Sequence, residues 1–97
     1  MNKEPNDVLF DLLTEYEIPI TSQGFYYIAW MVEKASNQDC YMLHYADYDK
    51  CAKAFDSTPS RVERAIRYAF LHSNIQNSKN LTTIYMLTRE YVKRKKR

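Results

Sequence analysis

Apolar residues recur at Val62, Ala65, Ile66, Ala69 and Phe70, offsets of 0, 3, 4, 7 and 8 that mark one face of a helix. Thr58 or Ser57 caps this helix with its hydroxyl, and Pro59 suits the first helical position, where its missing N–H costs nothing. At about 100° per residue, Ser60, Glu63, Arg64, Arg67 and Leu71 fall on the opposite face, with Arg61 and Tyr68 on a flank. The segment before it, Asp47–Phe55, repeats the pattern with Tyr48, Cys51, Ala52 and Phe55 inward. Asp56 stands between the two, at a turn position usually given to Gly; Asp tolerates a left-handed backbone better than most residues. Ser57 follows where an apolar residue is common. Two helices joined by a tight polar turn, the second apolar on one side and hydrogen-bonding on the other, have the layout of a helix-turn-helix.

The same periodicity organises the rest of the chain. Asn6 or Asp7 caps a first helix running to about Tyr16, with Val8, Leu9, Leu12 and Leu13 inward. Ile18-Pro19 marks a connector, since the residue before proline avoids helical geometry. Thr21 or Ser22 opens a second helix to about Lys34, with Tyr27, Ile28, Met31 and Val32 at core spacing and Phe25 and Trp30 on its edges. Gly24 falls in the first turn, where glycine is least damaging. A third, short helix is predicted over Gln38–Tyr45, and a last one over Leu81–Lys95 with Leu81, Ile84, Tyr85, Leu87, Thr88, Tyr91 and Val92 on one broad face. The polar stretch Asn74–Asn80 breaks the pattern. The expected fold is all-α: a compact bundle of five to six helices containing a helix-turn-helix, with residues 1–92 as one helical domain and 93–97 as a basic tail.

Composition narrows the function. With 97 residues, 45% hydrophobic and one Gly, the chain has the makings of a modest helical core and no glycine-rich phosphate cradle. No apolar run approaches the roughly 20 residues that cross a bilayer, and no secretory signal opens the sequence, so no membrane partner and a cytoplasmic location are expected. Cys40 and Cys51 lack metal-ligand spacing; Cys40 and His44 lie four apart on the predicted third helix and His72 is isolated. No metal, no cofactor and no catalytic residue is expected. The nine tyrosines are mostly assigned to the edges of the core. Charge is unevenly placed. Residues 1–56 hold four Lys/Arg against ten Asp/Glu, a balance of −6, whereas residues 57–97 hold ten against two, a balance of +8. The basic half attracts a phosphate backbone and the acidic half repels it.

These features point to double-stranded DNA. Arg offers a bidentate fork to guanine and Glu accepts from the cytosine amino group, so Glu63, Arg64 and Arg67 are candidate base readers. Ser57, Thr58, Ser60, Arg61 and Tyr68, with Lys93 and Arg94 of the basic end, are candidates for phosphate or flanking contacts. Glu63 and Arg67, four apart, equally suit an ordinary surface ion pair.

The run YDKCAKAFDSTPSRVERAIRYAF, above all SRVERAIR at Ser60–Arg67, resembles the C-terminal effector domain of the sporulation response regulator family, stage-zero sporulation protein A. The segment LLTEYEIPITSQGFYYIAWMV resembles that domain's opening helices. The resemblance spans most of residues 8–73 and is weaker over the last helix. It implies an all-helical domain that binds a short DNA box, usually as a tandem dimer, with Glu63 and Arg64 at base edges and Arg67, Arg61 and Ser60 at bases or phosphates. There are departures. The 97 residues hold no phosphoacceptor receiver domain, Asn74–Asn80 is shorter than the family's connection so that one family helix is missing, and Pro59 replaces a small residue. The implied function is a sequence-specific transcription regulator, with a homodimer on DNA and RNA polymerase as candidate partners. The alternative is a protein–protein interaction module that keeps the fold without reading DNA.

Overall fold

The computed structural model describes residues 4–76 and 79–96; Arg97 and part of the polar stretch before the last helix lie outside the described residues. Among them are five α-helices and no strand: α1 (Asp7–Glu15), α2 (Gln23–Ser36), α3 (Ala46–Ala54), α4 (Pro59–Leu71) and α5 (Asn80–Lys95). The fold is all-α.

Helix α2 is the hub. Gly24, Phe25, Tyr27, Ile28, Ala29, Met31, Val32 and Ala35 are all buried, because α1, α3, α4 and α5 all pack against it. Such wrapping explains why its apolar residues exceed a single stripe. Phe25 is not at an edge, as its helical phase suggested, but fully buried between Phe10 and Tyr26, with edge-to-face rings at 5.5 and 5.3 Å. Val8 departs in the other direction and is 37% exposed. Leu9, Leu12 and Leu13 centre α1 on the core, and Val8 precedes Leu9 by about 100°.

Gly24 has a role beyond the first turn. A Cβ there would lie 2.2 Å from the Ala65 carbonyl oxygen and 2.8 Å from the Ala69 Cβ. Helices α2 and α4 thus cross in near backbone contact, which only small residues permit.

The helix predicted over Gln38–Tyr45 does not form. Asp39–Tyr41 is a single 3₁₀ turn, with left-handed φ values of 61° at Cys40 and 55° at Tyr41, and Met42 is extended. The segment has no apolar stripe to dock; Leu43 alone among these residues reaches the core. A helix of two turns with one buried residue has too little packing to offset its nucleation cost. Cys40 and His44 therefore do not share a helical face.

Helices α1 and α3 end in the same way. After α1, Ile18 N–H donates to Leu13 O (3.2 Å) and Glu17 N–H to Thr14 O (2.9 Å), around Glu17 at φ 59°. After α3, Ser57 N–H donates to Ala52 O (2.8 Å) and Asp56 N–H to Lys53 O (3.4 Å), around Asp56 at φ 55°. These are Schellman closures with an acidic residue in place of glycine. The last helix is tied back by Tyr91, whose hydroxyl donates to Glu33 Oε2 (2.5 Å) and accepts from Asn6 Nδ2 (2.7 Å). Asn6 also caps α1 through its Oδ1, so one side chain fixes both the start of α1 and the end of α5.

Candidate nucleic-acid interface

Helix α3, the four residues Phe55–Thr58 and helix α4 follow one another in an order and spacing consistent with a helix-turn-helix. The turn is set locally. Asp56 supplies the left-handed residue, the Thr58 hydroxyl accepts from Arg61 N–H (3.3 Å), and Pro59 opens α4. Ser57 satisfies the Ala52 carbonyl with its backbone N–H, which requires no apolar side chain.

The phase of α4 is fixed by its buried side. Val62, Ile66, Ala69 and Phe70 are in the core, and Ala65 is half-buried against the Gly24 crossing. Ser60, Arg61, Arg64, Arg67, Tyr68 and Leu71 are exposed. The predicted outward residues therefore share one surface of one helix. Arg61 and Arg64 have no ion-pair partner among the described residues. Arg67 does: its Nη2 donates to both carboxylate oxygens of Glu63, at 2.6 Å to Oε2. Arg67 keeps more than half of its side chain in solvent, whereas Glu63 is more sheltered. The ordinary i, i+4 ion pair and the outward placement of Arg67 thus hold together, with Glu63 at the margin of the exposed face.

Beside this face lies a shallow concavity of about 400 Å³ walled by Tyr45, Ser60, Arg64 and Arg67. A second, of about 270 Å³, continues past Tyr45 and Arg67 to Lys79, Asn80 and Thr82 at the start of α5. Asn80 joins the two helices, donating to the Glu63 carbonyl (3.3 Å) and bonding the Tyr48 side chain. Burial pushes the Tyr48 phenol up, more than the Asn80 bond lowers it. Tyr45 was absent from the sequence-derived set. Its only signal was a tyrosine just ahead of α3, outside the apolar phase of Tyr48, Cys51 and Ala52.

The basic end is elsewhere. Lys93 is exposed on α5 and Lys96 just past its end, but Arg94 forms a bidentate pair with Glu15, at 2.6 Å from Nη1 and 2.9 Å from Nη2, and a longer contact to Glu90. The hydrogen bond from Arg94 holds the Glu15 carboxyl below its usual range. Asn80 touches α4 and Arg94 touches α1, and the helix between them, 14 steps from 80 to 94, spans about 21 Å. The two positive clusters of the basic half are thus well separated. Cys51, in α3, is buried and its thiol is pushed up to about 12, which keeps it protonated. No helix among the described residues is long and apolar enough to cross a membrane.

No curated protein and no solved structure matches the chain. The family described as sporulation initiation factor Spo0A C terminal matches residues 9–97, which extends the likeness through the last helix. That family is a regulatory, DNA-binding domain and not an enzyme family. With nearly its whole length matched, this chain belongs to the family of the C-terminal DNA-binding domain of the sporulation initiation factor.

Proposed function

We propose that this chain is a sequence-specific transcription regulator that lays α4 in the major groove and reads a short box with Arg64, Arg67 and Glu63. The observation that supports it most is the exposed Arg64–Arg67 face on a helix whose other side is locked into the core by Val62, Ile66, Ala69 and Phe70. Arg64 has no ion-pair partner among the described residues and reaches a guanine edge directly. Arg67 and Glu63 enter as a pair. Each either exchanges its partner for a base or stays clasped and presents the remaining N–H donors of the guanidinium. Ser57, Thr58, Ser60, Arg61 and Tyr68 hold the flanking backbone. Lys93 and Arg94 are the outlying members of that set, and Arg94 must first release Glu15, so its share is the smaller. Two copies on adjacent boxes supply the specificity that one small motif lacks, and RNA polymerase is the partner through which a bound regulator acts.

The test is selection of a preferred duplex from a random pool, followed by titration of Arg64→Ala. The variant is expected to lose about 1–3 kcal/mol on the selected duplex and to relax base choice at one position. Selection that enriches no motif at low salt, or an Arg64→Ala protein with unchanged affinity and base preference, overturns this function.

A further inference from the structure

Tyr45 is 80% exposed, the most exposed of the large apolar or aromatic side chains among the described residues. It stands immediately before α3, and its ring lies 6.0 Å from that of Tyr48, which is buried and bonded to Asn80. Tyr48 thus gives the exposed ring a fixed neighbour. Tyr45 walls both concavities beside α4, facing Ser60 and Arg64 in one and Lys79 and Thr82 in the other.

This position has a geometric consequence if α4 occupies a major groove. That groove is about 12 Å wide, and a helix with its side chains is 10–12 Å across. The helix fills the groove, so a hollow alongside it receives the sugar–phosphate strand that forms the groove's wall. A phenol at that place has the right chemistry: a neutral O–H donor for a phosphate oxygen on a ring that packs against the sugar.

We infer that Tyr45 is a DNA-backbone contact whose hydroxyl donates to a phosphate bordering the box. The inference rests on the groove placement of α4 proposed above. Tyr45 positions the helix without reading sequence, and as an uncharged donor it displaces no counterion.

The experiment titrates wild type, Tyr45→Phe and Tyr45→Ala on the duplex selected by the wild-type protein and on a scrambled duplex, across a series of salt concentrations. Tyr45→Phe is expected to bind about tenfold more weakly on both duplexes, the scale of a hydrogen bond to a charged group. Its plot of log affinity against log salt is expected to run parallel to wild type, whereas Arg61→Ala flattens the slope by about one contact. Replacing single phosphates with methylphosphonates should find one position that weakens wild type and leaves Tyr45→Phe unaffected. Tyr45→Phe with wild-type affinity overturns the inference, as does a loss confined to the selected duplex or a changed salt slope. If the wild-type protein itself selects and binds no duplex, the groove placement falls and this contact with it. If wild type binds and only the tyrosine variants are indifferent, the contact alone is wrong.

Discussion

Gly24→Ala is the most searching test of how α4 is held. In an ordinary helix this change stabilises by about 0.4–1 kcal/mol, because alanine has the higher propensity and the unfolded chain loses freedom. Gly24 has no positive φ, so its backbone conformation alone would permit alanine. The obstacle is the crossing with α4. The new Cβ would meet the Ala65 carbonyl oxygen at 2.2 Å, where ordinary contact begins at 3.4 Å, a deficit of about 1.2 Å. A helical carbonyl cannot swing aside, so α4 must move as a unit. Overpacking of this kind costs about 1–3 kcal/mol and sometimes more, leaving a net loss of about 1–2 kcal/mol after the propensity gain. In urea, with a slope near 2 kcal/mol/M, the midpoint falls by about 0.5–1 M with little change in slope. Circular dichroism and Trp30 fluorescence follow the transition together. Adding Ala69→Gly removes only the 2.8 Å contact with that Cβ. The double variant should therefore stay well below the Ala69→Gly protein. A Gly24→Ala midpoint at or above wild type would show that the α2–α4 crossing is looser than drawn, and the fixed outward phase of α4 would lose its main support.

Other expectations follow from single contacts. Thr58→Ala removes the cap on Arg61 N–H and should cost about 1 kcal/mol in urea denaturation, with Thr58→Ser restoring it. Asp56→Val puts a β-branched residue at φ 55° and should cost about 1–2 kcal/mol, whereas Asp56→Gly should be neutral or slightly stabilising by the same measurement. Burial first, and then the bond to Glu33, pushes the Tyr91 phenol up to about 12. The folded state therefore holds this proton more tightly than the unfolded chain. The corresponding stability is complete below pH 10 and drains away between pH 10 and about 12, and Tyr91→Phe should flatten that decline while costing about 1–3 kcal/mol at neutral pH. The Glu15 carboxyl is shifted down by Arg94, so its contribution is present above the ordinary glutamate range and lost as pH falls through its lowered value; Glu15→Gln should remove that acid dependence from thermal melts.

The parts of the fold that follow from periodicity were legible. Helices α1, α2, α4 and α5 bury long apolar stripes, and a cap or a proline marks most of their starts. The outward face of α4 followed from the same rule, since fixing Val62, Ile66 and Phe70 inward leaves no freedom in where Arg64 and Arg67 stand. Features set by another element could not be read from local sequence. Gly24 looked like a tolerated glycine because its reason sits 41 positions away, in the Ala65 carbonyl. Phe25 looked peripheral until α1 placed Phe10 against it. Gln38–Tyr45 carried helical spacing without enough apolar residues to dock, and two left-handed residues resolved it into a turn. Charge totals were the weakest guide. The +8 of the second half describes two clusters at opposite ends of α5, one of them tied to an acidic partner from the first half.

The contacts that hold α4 share a direction: each restrains the helix from its buried or terminal side and leaves the arginine side alone. Gly24 admits the backbone of α2 against Ala65 and Ala69, Asn80 bonds the Glu63 carbonyl, and the Ala52–Ser57 and Thr58–Arg61 bonds fix the turn. Association costs several kcal/mol in lost freedom before any contact contributes, and ordering a side chain adds about 0.5–1.5 kcal/mol each. A helix already fixed in phase and position confines that cost to its outward side chains. On the proposed groove placement, Arg64 would carry the ordering cost in full, having no ion-pair partner among the described residues. Arg67 carries less, because Glu63 already holds its guanidinium in one place on the surface. On the proposed groove placement, the same clasp would lower the net charge that Arg67 shows to a phosphate backbone, and so restrain indiscriminate binding. Glu63→Gln separates the two effects. Without the carboxylate, affinity for scrambled duplex should rise and affinity for the selected duplex should not keep pace, so the ratio between them contracts. A ratio that widens would mean that Glu63 only hinders Arg67 and has no part in discrimination.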